Sequence, residues 1–203
     1  VEFDYIHDDI ISSPQADGLL VYQDSNTFIM RTRRWNESNN FSTQFNTLNQ
    51  DSIDAAWIMP RASWKHNQLL LGTVDAQADG NLQVFNDSDT PANWSLRLEV
   101  SVETGSSSAR RGMDVAYESR DGDALIVYEN ESTATTPDST IQFRLWNGTR
   151  YSGFSTLLLQ DTTGYTIEGR ISFVMLFPFL KTDQIMAIMV NSTNSIIAMP
   201  WDG

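Results

Sequence analysis

The sequence predicts an all-β protein built from about four repeated, four-stranded antiparallel units of the β-propeller type. Three observations carry this reading. Short β-branched and aromatic runs bounded by Gly, Pro, Asn and Asp dominate, and no stretch of a dozen residues holds an uninterrupted helical stripe. One order of strands recurs along the chain. Trp35, Phe85, Trp146 and Trp201, the aromatics that define the repeat by closing the third strand of each unit, lie 50, 61 and 55 residues apart. A period near 50 with four strands per unit is the signature of propeller blades. A β-sandwich is the alternative, since it also uses short strands and frequent turns, but it does not require internal repetition.

The chain reads as a single domain of four units, 1–50, 51–105, 106–165 and 166–203. In the first, Gly18-Leu-Leu-Val-Tyr22 is a second strand, residues 27–35 a third, and Phe41-Ser42 opens a fourth. The second unit has Ala56-Trp-Ile-Met59, Gln68-Leu-Leu-Leu71 and Asn81-Leu-Gln-Val-Phe85, with Trp94-Ser95 opening its last strand. The third is the most legible: Met113-Asp-Val-Ala-Tyr117, Ala124-Leu-Ile-Val-Tyr128, Thr140-Ile-Gln-Phe-Arg-Leu-Trp146 and Phe154-Ser-Thr-Leu-Leu-Leu159. Asn147-Gly148 between its last two strands predicts a type I′ hairpin turn, whose two central residues both need positive φ. The fourth unit supplies residues 171–177, 184–190 and 195–201, then reaches Trp201-Asp202-Gly203 where a fourth strand is due. An unpaired strand edge there needs covering. The strand-like residues 1–7 are expected to cover it within the chain, or a neighbouring subunit by strand addition, or a continuation of a longer polypeptide.

Composition narrows the functional classes. The formal net charge is −13 in 203 residues, and only Lys65 and Lys181 of the 13 basic residues are lysines. Such a surface repels phosphate backbones and argues against nucleic acid as a partner. With no cysteine there is no disulfide, thiolate metal site or cysteine nucleophile. His7 and His66 have no ligand-spaced partner, which disfavours zinc and histidine-based triads. The longest apolar run, residues 171–180, is about half of a membrane span and contains a proline, so no membrane crossing is expected. Residue 1 is valine, and no signal-peptide pattern follows it.

Asn-X-Ser/Thr sequons occur at Asn36, Asn40, Asn86, Asn93, Asn130, Asn147 and Asn191, all at expected turns or strand edges. This pattern predicts N-glycans on both faces of a propeller and an extracellular or cell-surface location. The acidic, lysine-poor composition fits a high-salt or archaeal extracellular setting.

The runs Leu-Ile-Val-Tyr128 and Ile141-Gln-Phe-Arg-Leu-Trp-Asn-Gly-Thr-Arg-Tyr-Ser152 resemble the Trp-Asp-Gly or Trp-Asn-Gly repeat of secreted microbial β-propeller proteins. The resemblance is strongest over 113–159 and weakest over 43–100, and implies blade architecture and a surface or adhesion role without catalytic residues. Sialidase-like propellers are more distant, because Ser119-Arg-Asp121-Gly does not fit the spacing of their Asp-boxes. Fucose-binding fungal lectins have similar short blades that hold sugar with Arg, Glu and Trp from adjacent blades. Arg33, Arg144, Glu118 and Trp146 are compatible residue types, without a repeated triplet.

Other candidate chemistry is sparse. The pairs Asp8-Asp9, Asp87/Asp89 and Asp121/Asp123 sit in turn contexts, where acidic side chains bond their own backbone; calcium is a minor expectation at the last two pairs. No nucleophile elbow, P-loop or dinucleotide fingerprint is present. Arg31, Arg33 and Arg34 form the dense basic run, with Arg31 and Arg33 on one strand face. Trp57, Trp64 and Trp94 are candidates for stacking on sugar rings, against the commoner fate of packing between blades. The reading is therefore a non-enzymatic extracellular glycoprotein with a structural, self-assembling or adhesive role. The alternative is a carbohydrate-binding propeller lectin. Neither requires a cofactor.

Overall fold

The computed structural model describes residues 2–6, 17–23, 30–36, 40–48, 55–63, 65–75, 79–86, 93–101, 110–129, 140–160, 163–164, 166–167 and 169–203. They form four antiparallel sheets, with no helix among the described residues. Blade one holds β1 (Glu2–Ile6), β2 (Asp17–Gln23) and β3 (Met30–Asn36), with the short β4 (Asn40–Phe41) and β5 (Phe45–Asn46) both paired to β3. Blade two holds β6 (Ala55–Ser63), β7 (Gln68–Asp75), β8 (Asp79–Asn86) and β9 (Asn93–Ser101). Blade three holds β10 (Met113–Tyr117), β11 (Ala124–Glu129), β12 (Thr140–Trp146) and β13 (Ser155–Leu158). Blade four holds β14 (Ile171–Pro178), β15 (Ile185–Asn191) and β16 (Ile196–Trp201). Each sheet is a meander of chain-order neighbours, as propeller blades are.

Two expectations are corrected here. The N-terminal strand does not cover the edge of the last unit: β1 pairs with β2 along its length, Glu2 opposite Val21 and Ile6 opposite Asp17, as the first strand of blade one. The Asn147-Gly148 connection is not a two-residue type I′ turn. Gly148 has a φ of 83° but Asn147 is not among the residues of positive φ. Trp146 bridges Tyr151, so the turn is longer, and the Asn147 side chain, described below, takes over part of the backbone's role.

The sheets stack face to face, and the core lies in the seams between them. Leu19, Val21 and Met30 of blade one meet Leu69, Leu71 and Phe85 of blade two. The opposite face of blade two, with Met59, Leu70 and Val84, meets Val115, Ile126 and Trp146 of blade three. The other face of blade three, with Leu125, Val127 and Ile141, meets Val174, Ala187 and Met189 of blade four. Period-2 alternation thus sends successive residues of one strand into two different seams.

The first strands of the blades run side by side and are tied by carboxylates, one half-buried and one buried. The Ala62 N–H of β6 donates to Asp4 Oδ2 of β1 at 2.9 Å. The Leu176 N–H of β14 donates to Asp114 Oδ2 of β10 at 2.8 Å. The Asp114 side chain is 1% exposed and also takes Arg111 at 2.7 Å and Arg61 at 3.4 Å. One carboxylate therefore holds groups from blades two, three and four.

The repeat-defining aromatics explain the period. Phe85 packs against Phe45 of blade one, with ring centroids 5.8 Å apart. Trp146 is fully buried and donates its indole N–H to Gln68 Oε1 of blade two at 3.2 Å. Trp201 packs on Phe143 of blade three at 5.3 Å and donates to Glu118 Oε1 at 3.2 Å. Each closes its third strand by reaching back into the preceding blade. Trp35 is half-buried, on the face of blade one turned away from blade two.

The repeat extends to whole faces. Trp35 pairs with Gly18 and Trp146 with Ala124, which puts the two sheets in register. Leu20, Tyr22 and Arg33 then occupy the places of Ile126, Tyr128 and Arg144.

Candidate functional site

A polar concavity lies over the third blade. It is a cleft of about 430 Å³ lined by Asp123, Leu145, Asn147, Arg150, Tyr151, Ser152 and Gly153. That volume lies within the range of small-ligand clefts, about 300–1,000 Å³. The cleft exists because the β12–β13 connection folds on itself. Asn147 Oδ1 accepts from the Thr149 N–H at 3.2 Å, the Thr149 hydroxyl at 2.9 Å and the Arg150 N–H at 3.0 Å. This is the local side-chain-to-backbone bonding that makes Asn favourable in turns. Ser152 Oγ then accepts the Leu145 N–H at 2.9 Å, and the Ser152 N–H returns to the Leu145 carbonyl at 2.8 Å. Gly148 must be glycine, because a Cβ there would lie 2.9 Å from the His66 ring and its φ is positive.

On this frame the cleft presents complementary groups. Asp123 offers a carboxylate, and Arg150 is exposed, its guanidinium free of hydrogen bonds and ion pairs among the described residues. The Tyr151 ring lines the wall and packs on Trp146, with centroids 4.7 Å apart. Burial pushes its phenol well above the ordinary tyrosine range, and its hydroxyl has no hydrogen-bond partner among the described residues. A guanidinium, a carboxylate, an amide and an aromatic wall in one open cleft suit a polar, neutral, multi-hydroxyl ligand.

A second cleft of about 360 Å³ lies between blades one and two, lined by Glu2, Gln23, Ala55, Ala56, Trp57 and Ile58. The Trp57 indole nitrogen is buried without a partner among the described residues. A third hollow, about 30 Å³ between blades three and four, is lined only by apolar side chains, including Phe143 and Trp201. It is a packing gap, because a bound water would need polar partners.

The residues singled out in the sequence scatter. Trp146 is buried in a seam, and Glu118 is 5% exposed and committed to Trp201. Arg144 donates to the Tyr128 hydroxyl at 3.2 Å and the Ser152 carbonyl at 2.8 Å, and stacks on Phe154. Arg33 is half-buried on the outer face of blade one. These four do not converge. Trp94 is buried and donates to Thr32 Oγ1 at 3.1 Å, whereas Trp57 reaches a cleft; Trp64 lies outside the described residues. Of the described members of the acidic pairs, Asp123 lines the main cleft, and the Asp121 N–H donates to Asp183 Oδ1 at 3.1 Å. No group of three or more metal-ligating side chains assembles among the described residues. Asp8, Asp9, Asp87 and Asp89 lie outside them. Arg31 bonds the Asn46 amide oxygen rather than a carboxylate.

The sequons also divide. Asn40, Asn93 and Asn147 are exposed, Asn86 is half-buried at the end of β8, and Asn36 ends β3. Asn130 lies outside the described residues. Asn191 departs from expectation: it is 1% exposed, and its Oδ1 accepts the Thr193 and Ser195 N–H groups at 3.1 and 2.6 Å. Arg150 and Ser152, missed in the sequence as site residues, carried one signal: they immediately follow the Asn-Gly turn.

The fold and its stacked blades define a β-propeller. No family model and no curated protein matches the chain. Among solved structures it is similar to the fungal lectin of Aleuria aurantia, a six-bladed β-propeller described with a novel mode of fucose recognition, with a TM-score of 0.57 and 11% identity. Variants of that lectin match equally: one with α-methyl-L-fucoside (TM-score 0.56, 10% identity) and one with fucose α1,6-linked to GlcNAc (0.55, 11%). Each alignment covers 98% of this chain, which spans only 57 to 58% of the lectin chains.

Proposed function

We propose that this chain is a non-enzymatic carbohydrate-binding propeller protein, with the Asp123–Arg150 cleft as its sugar site. The observation that carries the reading is the likeness of nearly the whole chain to lectin propellers that bind fucosides. The cleft supports it with the chemistry hydroxyl-rich rings require: Asp123 accepts from paired hydroxyls, Arg150 donates to ring and hydroxyl oxygens, and Tyr151 supplies an apolar wall. A glycan array with the wild-type chain and with Arg150→Ala and Asp123→Asn tests it. Selective binding abolished by either substitution is expected. Binding lost only in Trp57→Ala moves the site to the cleft between blades one and two, and a blank array overturns the reading.

An extracellular or cell-surface location and N-glycosylation accompany this proposal, supported by the exposure of Asn40, Asn93 and Asn147. Peptide mapping of native material is expected to find glycan at these positions and bare Asn191, whose burial leaves no room for a sugar. An Asn147 glycan would stand on the rim of the cleft, so the array is run on both glycosylated and glycan-free chain.

A further inference from the structure

We infer that His66 of blade two is the positioning residue of the Asp123–Arg150 cleft, holding the two turns of blade three that form its banks at their working separation. The inference rests on that cleft being the sugar site, and adds to it a residue from the neighbouring blade. The two banks belong to different turns. Asp123 ends the β10–β11 turn, which is closed by the Glu118 N–H donating to the Asp123 carbonyl at 2.7 Å. Asn147 and Arg150 belong to the β12–β13 connection. The ladder between β11 and β12 ends with Ala124 opposite Trp146, so both turns project past it and their spacing needs another support. Groups that recognise a ligand have to be held to within about 0.5 Å by the packing around them.

Blade two provides that packing through the turn leading into β7. A Cβ on Gly148 would lie 2.9 Å from Cε1, 3.0 Å from Nδ1 and 3.1 Å from Nε2 of His66. A Cβ on Gly122, beside Asp123, would lie 3.3 Å from Cδ2 of the same ring and 2.8 Å from Cβ of Lys65. Each bank thus carries a glycine bare toward one imidazole. Each of these glycines also has positive φ, 79° at Gly122 and 83° at Gly148. Gln68 clamps the second bank beside the ring: its Nε2 donates to the Gly148 carbonyl at 3.0 Å while its Oε1 accepts the Trp146 indole N–H at 3.2 Å. The turn itself is anchored by the His66 N–H, which donates to Ser63 Oγ at 3.2 Å. His66 Nε2 is buried without a partner among the described residues, so this edge of the ring supports the banks by its flat shape.

Native-state amide exchange and calorimetry with the methyl glycosides of fucose, galactose, glucose and mannose, on the wild type, His66→Ala and His66→Phe, test this. In His66→Ala the N–H groups of Glu118 on one bank and of Arg150 and Ser152 on the other are expected to exchange about tenfold faster or more, with the amides of β10 to β12 unchanged. The same variant is expected to bind the glycoside that the wild type prefers about tenfold more weakly. His66→Phe keeps a flat ring without the nitrogens and is expected to return both exchange and affinity to within about twofold of the wild type. The inference is overturned by unchanged exchange in His66→Ala, by acceleration spread evenly over the strands, by wild-type affinity in that variant, or by no rescue in His66→Phe. A wild type that binds none of the four glycosides, with turns that still loosen in His66→Ala and recover in His66→Phe, counts against the sugar reading and leaves His66 as the support of the banks. Should His66→Ala not fold, the wild type decides: nuclear Overhauser contacts must run from the His66 ring protons to the α-protons of both Gly122 and Gly148, and the absence of either set refutes the inference.

Discussion

Blades two and three differ from blades one and four in how completely they are enclosed. Every residue of β7, β10 and β11 is buried, whereas β15 alternates between buried and half-buried and β16 between exposed and half-buried. The sequences do not differ in the same way. Ile185-Met-Ala-Ile-Met-Val190 is as uninterruptedly apolar as Ala124-Leu-Ile-Val-Tyr128. A sheet with one solvated face ordinarily alternates apolar and polar residues, and continuous runs belong to strands covered on both sides. Blade four therefore has the composition of a blade covered on both faces.

The comparison is broken most severely at the point where the inner blades are tied together. Asp114→Ala removes the carboxylate from Arg111, Arg61 and the Leu176 N–H at once, leaving Arg111 with no counter-charge at 2.7 Å. Loss of one partner from a buried ion pair costs about 3–5 kcal/mol. Urea unfolding is expected to show a loss of stability of that size, and a change below about 1 kcal/mol would mean that the Asp114 network contributes no more than a surface ion pair.

Next in size is a matched pair of truncations at equivalent positions. Ile126 is fully buried in the seam between blades two and three, so Ile126→Ala is expected to cost about 2–5 kcal/mol. Leu20 holds the same register place in blade one but is only half-buried. Leu20→Ala is expected to cost about 1 kcal/mol or less in dilute protein. Urea unfolding measures both costs, and equal values would mean that this face of blade one is as enclosed as the seam between blades two and three.

Much of this was legible because the seam residues follow a simple rule. Phe85, Trp146 and Trp201 stand at the same place in each unit because each fills the gap toward the preceding blade, and that place fixes the period. The site was far less legible. Arg150 and Ser152 act through a turn whose shape depends on the three bonds to Asn147 Oδ1, and sequence marks the Asn-Gly pair without fixing the turn type. Asn147 and Asn191 both read as sequons at strand ends. Their difference in exposure comes from a neighbouring loop: Gly169 and Ser192 crowd together beside Asn191, a long-range packing fact that no local motif carries. The pairing of the first strand escaped as well, since Glu2 to Ile6 is as suited to pairing with blade four as with β2.

The turn beneath the cleft separates shape from chemistry at a smaller scale. Asn147→Ala removes the acceptor for three donors and, by analogy with lost helix caps, is expected to destabilise by about 1 kcal/mol. Its larger effect is on the cleft, because Arg150 loses its backbone anchor. A sugar bound at Asp123 and Arg150 should weaken in this variant while thermal unfolding barely moves, and an unchanged binding isotherm would argue that the ligand contacts lie elsewhere.

The smallest effect compares two seams built to one plan. Trp146 donates to the amide oxygen of Gln68 and Trp201 to the carboxylate of Glu118, both at 3.2 Å. Burial, against the relief of the Trp201 bond and reinforced by Asp123, Asp183 and Asp121, raises the Glu118 carboxyl above its ordinary value of 4.5. The folded state therefore holds this proton more tightly than the unfolded chain. The resulting stabilisation is complete below the ordinary value and is lost as pH rises through the raised one. Glu118→Gln keeps an acceptor for the indole and makes this seam a copy of the neighbouring one. The variant is expected to melt with the wild type in acid and above it at neutral pH, the gap opening as pH climbs past the ordinary glutamate range. A gap that is constant with pH, or that widens toward acid, would show that Glu118 is held as a charged partner rather than as a hydrogen-bond acceptor that burial penalises for ionising.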